Sequence, residues 1–155
     1  PVVSSPSEMP GQVTRRDADP SHRWDATEET IPTLPLFYPL ERTSVSTTES
    51  VSSIILRVSA ILEERSIVRT IRPAGCVDCS TRGVNFRIRL YKERDDSQKV
   101  IVEVQRREGF DLRYMCDVYA ILDAAEGREV ISFSEVDESQ FRVPTYHVHT
   151  IGMTA

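Results

Sequence analysis

The stretch Val84-Asn85-Phe86-Arg87-Ile88-Arg89-Leu90-Tyr91 alternates apolar and polar side chains with period two. Successive side chains of a strand point to opposite faces, so the pattern predicts a strand with one dry and one wet face. After the polar turn Glu93-Arg94-Asp95-Asp96-Ser97, alternation resumes from Lys99 to Arg107, with Val100, Val102 and Val104 on one side. Two such runs joined by a short polar turn read as an antiparallel hairpin. Upstream, Ile67 to Ile71 is a short strand candidate closed by Pro73-Ala74-Gly75, and Val77 to Thr81 is another.

Helical periodicity flanks the strands. Val51, Ile54, Ile55, Val58, Ile61 and Leu62 recur at i, i+3, i+4 and i+7, which predicts an amphipathic helix over about 48–65. Ser46 followed by Glu49 fits a capping box at its start. A second helix is expected from about Asp111. Leu112, Met115, Cys116, Val118, Tyr119, Ile121, Leu122 and Ala125 would form its apolar face, and Gly127 would stop it. Helix, three to five antiparallel strands and helix make a two-layer α+β domain, with both helices on one face of the sheet. Ile54, Ile55, Val58, Ile61, Phe86, Ile88, Val102, Val104, Val118 and Leu122 are its expected core.

The chain has 155 residues, enough for one domain with tails. Residues 1–46 read as a disordered or extended N-terminal arm, 47–127 as the domain, and 128–155 as a C-terminal extension with an edge-strand candidate. Over residues 1–30 the chain is rich in Ser, Pro, Thr, Asp and Glu, and it lacks the apolar area that would offset its ordering entropy. Residues 31–40, Ile-Pro-Thr-Leu-Pro-Leu-Phe-Tyr-Pro-Leu, form an apolar island whose three prolines exclude a helix interior and a central strand. It is expected to run extended and to pack along its own domain, with docking on a partner as the alternative. Trp24 lies in the polar arm, either exposed or as an anchor.

Charge separates along the chain. Residues 65–113 hold twelve basic and seven acidic side chains, inside a chain of net charge −5. Arg87 and Arg89 share one strand face, and Arg106 and Arg107 end the next strand. Guanidinium groups bind carboxylate or phosphate bidentately, so these four are the candidate anion- or partner-binding residues. The competing reading is a solvated face on which Glu103 pairs an Arg across the hairpin. The expected partner is an acidic protein segment. An anionic phospholipid membrane is the alternative, and a subunit of a larger complex held by its arms is the third. The whole-chain acidity argues against a dedicated nucleic-acid binder.

Catalytic and metal chemistry find little support. The chain has no G-x-S-x-G elbow, P-loop or H-E-x-x-H motif. Cys76-Val-Asp-Cys79 supplies two thiols, and tetrahedral zinc needs four ligands. His147 and His149 do not stand at zinc-finger spacing. The expectation is therefore no enzyme, no catalytic residues, no metal and no cofactor. Cys116 is expected in the core, and the free thiols suit a reducing, cytoplasmic compartment.

The segments Gly75-Cys-Val-Asp-Cys-Ser-Thr81, Gly83-Val-Asn-Phe-Arg-Ile-Arg-Leu-Tyr-Lys92 and Lys99 to Ala125 together resemble the kinase-associated C-terminal domain of Ser/Thr protein kinases, over about residues 50–125. The matching positions are Val84, Phe86 and Ile88, then Val102, Val104, Arg106, Arg107 and Gly109, then Tyr114, Val118 and Leu122. The resemblance implies a four-stranded antiparallel sheet with two helices on one face. It also implies a regulatory role, through anionic phospholipid or a kinase domain. Helix, strands and helix also follow in this order in double-stranded-RNA-binding domains. The start of the second helix, Gly109-Phe-Asp-Leu-Arg113, lacks the basic cluster that reading wants.

Overall fold

The computed structural model describes residues 23–129. Alternation in the sequence becomes a five-stranded antiparallel sheet: β1 (Ser44–Thr47), β2 (Val68–Arg72), β3 (Cys76–Thr81), β4 (Val84–Lys92) and β5 (Val100–Glu108), in the order β1-β5-β4-β3-β2. Arg82 and Gly83 join β3 to β4, both at positive φ, as a two-residue hairpin turn requires. Helix α1 (Val51–Glu64) follows β1, and α2 (Tyr114–Glu126) follows β5. Both pack on one face of the sheet, α1 nearer β2 and α2 nearer β1 and β5. All ten residues expected in the core are buried in a single cluster.

Three local expectations are corrected. Strand β1 falls, but for Thr47, inside the segment read as an arm; four residues of Ser, Val and Thr are too short and polar to register as a strand. Its pairing with β5 recruits it. The cap of α1 is Ser50, whose hydroxyl accepts from the Ser53 amide. Ser46 lies in β1, and Glu49 instead pairs with Arg57 at 2.9 Å. Helix α2 starts at Tyr114 rather than Asp111. It ends as expected at Gly127, in the left-handed region. Arg57 of α1 donates from Nε to the Ala124 carbonyl at 2.8 Å, so a cation on one helix satisfies the C-terminal end of the other.

Residues 23–43 form a strap around this domain. Trp24, Ala26 and Ile31 belong to the buried cluster, which places Trp24 in the core rather than exposed on an arm. Glu28 accepts from the Val51 amide at 3.0 Å, at the N-terminus of α1. Ile31 seats against Gly75, where a Cβ would lie 2.7 Å from Ile31 Cγ2. Thr33 then pairs in parallel with Lys92. From there the strap crosses the other face of the sheet, where Tyr38 stacks at a tilt on Tyr91 with centroids 5.6 Å apart. The island 31–40 thus packs along its own domain. The C-terminal extension 128–155 with its edge-strand candidate lies, apart from Arg128 and Glu129, outside the described residues; neither of those two is in a strand.

Candidate interaction surface

The sheet face away from the helices carries the residues that alternate with the core. From β4 these are Asn85, Arg87, Arg89 and Tyr91. The register places Asp78 and Gln105 beside Arg87, and Cys76 and Glu103 beside Arg89. Arg87 grips Asp78 with Nε to Oδ1 at 2.5 Å and Nη2 to Oδ2 at 3.2 Å, and Arg72 adds Nε to Oδ2 at 2.7 Å. The Arg87 hydrogen bonds, with those of Arg72, hold the Asp78 carboxyl down at about 2. Arg89 donates from Nη1 to the Tyr91 hydroxyl at 3.2 Å.

Among the described residues, Glu103 makes no ion pair with an Arg. It stands opposite Arg89 in register but is fully buried beneath the strap, where Tyr38 Oη donates to Oε2 at 3.0 Å and the Glu41 amide to Oε1 at 2.9 Å. The strap brings donors that a hairpin-only reading does not contain.

The Asp78 triad makes a pH prediction. Its folded pKa lies below the unfolded carboxylate value, so the triad's stabilisation is present above about pH 4 and is lost as the pH falls towards about 2. Urea midpoints of wild type and Asp78→Asn should differ at pH 6 and converge as the pH approaches about 2. A gap that is constant across this range contradicts the assignment.

The four arginines singled out in the sequence do not form one surface. Arg87 and Arg89 lie on the open sheet face, and Arg107 lines a depression of about 370 Å³ there with Val68, Ser80, Asn85 and Glu108. Arg106 lines a different depression, of about 340 Å³, with Glu41, Phe110, Tyr114 and Met115. Adjacent residues on a strand face opposite ways, and the register shift opposite Asn85 and Phe86 adds a kink at this point. Arg87 is already satisfied by Asp78. Arg106 and Arg113 make no ion pair among the described residues.

Four large apolar side chains stand exposed at the start of α2, three of them where core was expected. Phe110 is 75% exposed, Leu112 83%, Met115 40% and Tyr119 60%. Leu112, Met115 and Tyr119 had counted towards the buried face of α2. That face is instead Tyr114, Val118, Ala120, Ile121, Leu122, Ala124 and Ala125, with the carboxylate of Asp117 among them. Apolar residues occur on more than one side of this helix, and only one side can meet the sheet. The surplus is the signal that could have revealed the patch. Cys116 is likewise half-buried rather than core.

The sequence matches no protein-family model and no curated protein. Cys76 and Cys79 lie on opposite faces of β3, so they cannot share one ion; Cys79 faces the core, and burial pushes its thiol up to about 12. All three cysteines are free. Among the described residues, no group of three His, Cys, Asp or Glu could hold a metal, and no helix is long and apolar enough to cross a membrane.

Proposed function

We propose that the domain is a non-enzymatic, regulatory protein-binding module of a reducing intracellular compartment. It docks partners at the end of the molecule where β5 passes into α2. The observation that carries this reading is the patch of Phe110, Leu112, Met115 and Tyr119, four large apolar side chains exposed within ten residues. Aromatic residues, Met and Arg are the types enriched at protein interfaces, and contiguous exposed apolar area marks interaction sites. Arg106 and Arg113 at the margin complement an acidic rim on the partner. The regulatory part of this reading rests on the resemblance to the kinase-associated C-terminal domain, which implies a four-stranded sheet where this one has five strands.

Peptides selected from a random library for binding to the full chain should be apolar with acidic flanks. They should fail to bind a Leu112→Asp/Met115→Asp variant of unchanged melting temperature. Enrichment of the same peptides on that variant removes the patch from the account.

An anionic phospholipid surface is the second reading, and one feature favours it. Phe37 is 93% exposed at the tip of the strap, at φ 62, with Leu36 beside it. A turn closed by the Tyr38 amide to the Pro35 carbonyl puts Phe37 where glycine is preferred. Arg94 reaches the Leu34 carbonyl next to this tip. An aromatic tip beside a cation suits a headgroup boundary. Co-sedimentation with phosphatidylserine vesicles, lost on Phe37→Ser and kept by Leu112→Asp/Met115→Asp, would place this reading first.

A further inference from the structure

Phe110 and Met115, two of the exposed apolar side chains at the start of α2, line the depression of about 340 Å³ together with Tyr114. Its charge is positive on balance. Arg106 is in the lining, and Arg113 stands at the N-cap of α2 with no side-chain hydrogen bond to the helix. Asp111, also in the lining, is engaged by Arg82 at 3.3 Å, which leaves these two cations against Glu41. The positive end of the α2 dipole lies at the same place. An occupant with apolar side chains and a surplus of carboxylates complements these features.

The chain carries such a segment itself. Residues 134–143 read Ser-Glu-Val-Asp-Glu-Ser-Gln-Phe-Arg-Val, three acidic side chains against one basic, with Val136, Phe141 and Val143 interleaved. Their position along the chain also fits. Helix α2 has 13 residues, and at about 1.5 Å per residue its start lies about 20 Å from its end. An extended residue covers at most about 3.5 Å, so about six residues after Gly127 span the return, and the segment begins where they end. Residues 1–22 do not offer the same. They contain no aromatic side chain, and Arg23, which follows them, lies beside Leu56 of α1 and Arg69 of β2. That is the far edge of the sheet from β1, where α2 packs.

We propose, on the reading of this patch as a docking surface, that residues 134–143 occupy it in cis and that a partner binds by displacing them. Val136 and Phe141 cover Phe110, Leu112 and Met115, while Glu135, Asp137 and Glu138 face Arg106 and Arg113. The short link makes even a weak contact effective. A segment tied at such a distance stands at an effective concentration of about 1 mM, so an intrinsic dissociation constant of about 100 μM fills the patch about ten to one and weakens an outside peptide about tenfold.

In a nitrogen-15 spectrum of the full chain, Val136→Ser/Phe141→Ser should move the Leu112, Met115 and Tyr119 amide resonances and leave those of β2 and β3 in place. Glu135→Gln/Asp137→Asn/Glu138→Gln should move the same resonances in the same direction. A synthetic peptide of residues 130–145, added to the Val136→Ser/Phe141→Ser protein, should return them towards their wild-type positions. It should leave the Tyr119 resonance unmoved once Leu112→Asp/Met115→Asp is added. An apolar, acidic peptide selected from a library should bind the Val136→Ser/Phe141→Ser protein about tenfold more tightly than wild type. Patch resonances unmoved by both sets of substitutions overturn the proposal. So do shifts that grow with protein concentration, which would assign the patch to the segment of a second copy, and so does equal affinity of the library peptide for the two proteins. In that last case peptide binding still falls on Leu112→Asp/Met115→Asp, and the docking surface stands without its internal occupant; peptide binding untouched by that substitution removes both.

Discussion

Trp24→Ala lowers the stability of the chain by about 3–5 kcal/mol, the range for truncating a large buried aromatic side chain. Trp24 is in the same buried cluster as Ile54, Phe86 and Ile121, so its removal leaves a void between the strap and α1. The loss extends beyond the void. The segment after Trp24 carries the Thr27–Thr30 turn, the Glu28 contact to the start of α1, and Ile31 against Gly75. Loosening its first anchor should expose these in turn. Urea unfolding gives the size of the effect, and trypsin cleavage at Arg23 gives its location. A change under 1 kcal/mol, with Arg23 no more readily cut, would mean that the strap is not part of the folded unit.

The second large effect belongs to Asp117. Its carboxylate is buried among apolar residues of α2 and takes Arg65 Nη1 on Oδ1 at 2.9 Å and Arg82 Nη2 on Oδ2. Arg82 also reaches Asp111 at 3.3 Å. The carboxylate therefore ties the start of α2 to the residue after α1 and to the β3–β4 turn. Asp117→Ala should cost about 3 kcal/mol, the low end for removing one member of a buried ion pair. The low end applies because Arg82 keeps partial access to water. Asp117→Asn should cost less than Asp117→Ala, since the amide oxygen still accepts from one Arg. In a double-mutant cycle, Arg82→Ala should lose much of its own effect once Asp117 is Ala. Additivity of the two would show that the contact carries no energy of its own.

Much of the architecture was legible because its signals are local. Val84, Phe86, Ile88 and Leu90 alternate without a break, and α1 repeats its apolar residues with helical period over three turns. Glycine at 127 has a local reason to end α2. What escaped depends on distant partners. Trp24 and Ile31 are isolated apolar residues in polar or Pro-rich surroundings, and their burial depends on α1 and on the missing side chain at Gly75. Strand β1 exists because β5 offers an edge. The clustering of Arg87 and Arg89 was visible from spacing, while the neutralisation of Arg87 by Asp78 required the β3–β4 register. Likewise, alternation separates Arg106 from Arg107. The expected inward face of α2 joins Leu112, Met115, Cys116 and Tyr119 to Val118, Ile121, Leu122 and Ala125, more than one helix face can hold, and omits Tyr114, Ala120 and Ala124, which are buried.

The proposed role rests on the patch at the start of α2, and one measurement bears on it most directly. Fluorescence anisotropy of a library-selected acidic, apolar peptide would be followed against wild type, Leu112→Asp/Met115→Asp and Arg106→Ala/Arg113→Ala, each checked for an unchanged melting temperature. The account predicts at least tenfold weaker binding for the first variant. For the second it predicts weaker binding with a flatter dependence on salt, since exposed charges are screened over about 8 Å at physiological ionic strength. Equal affinity for all three proteins would contradict it.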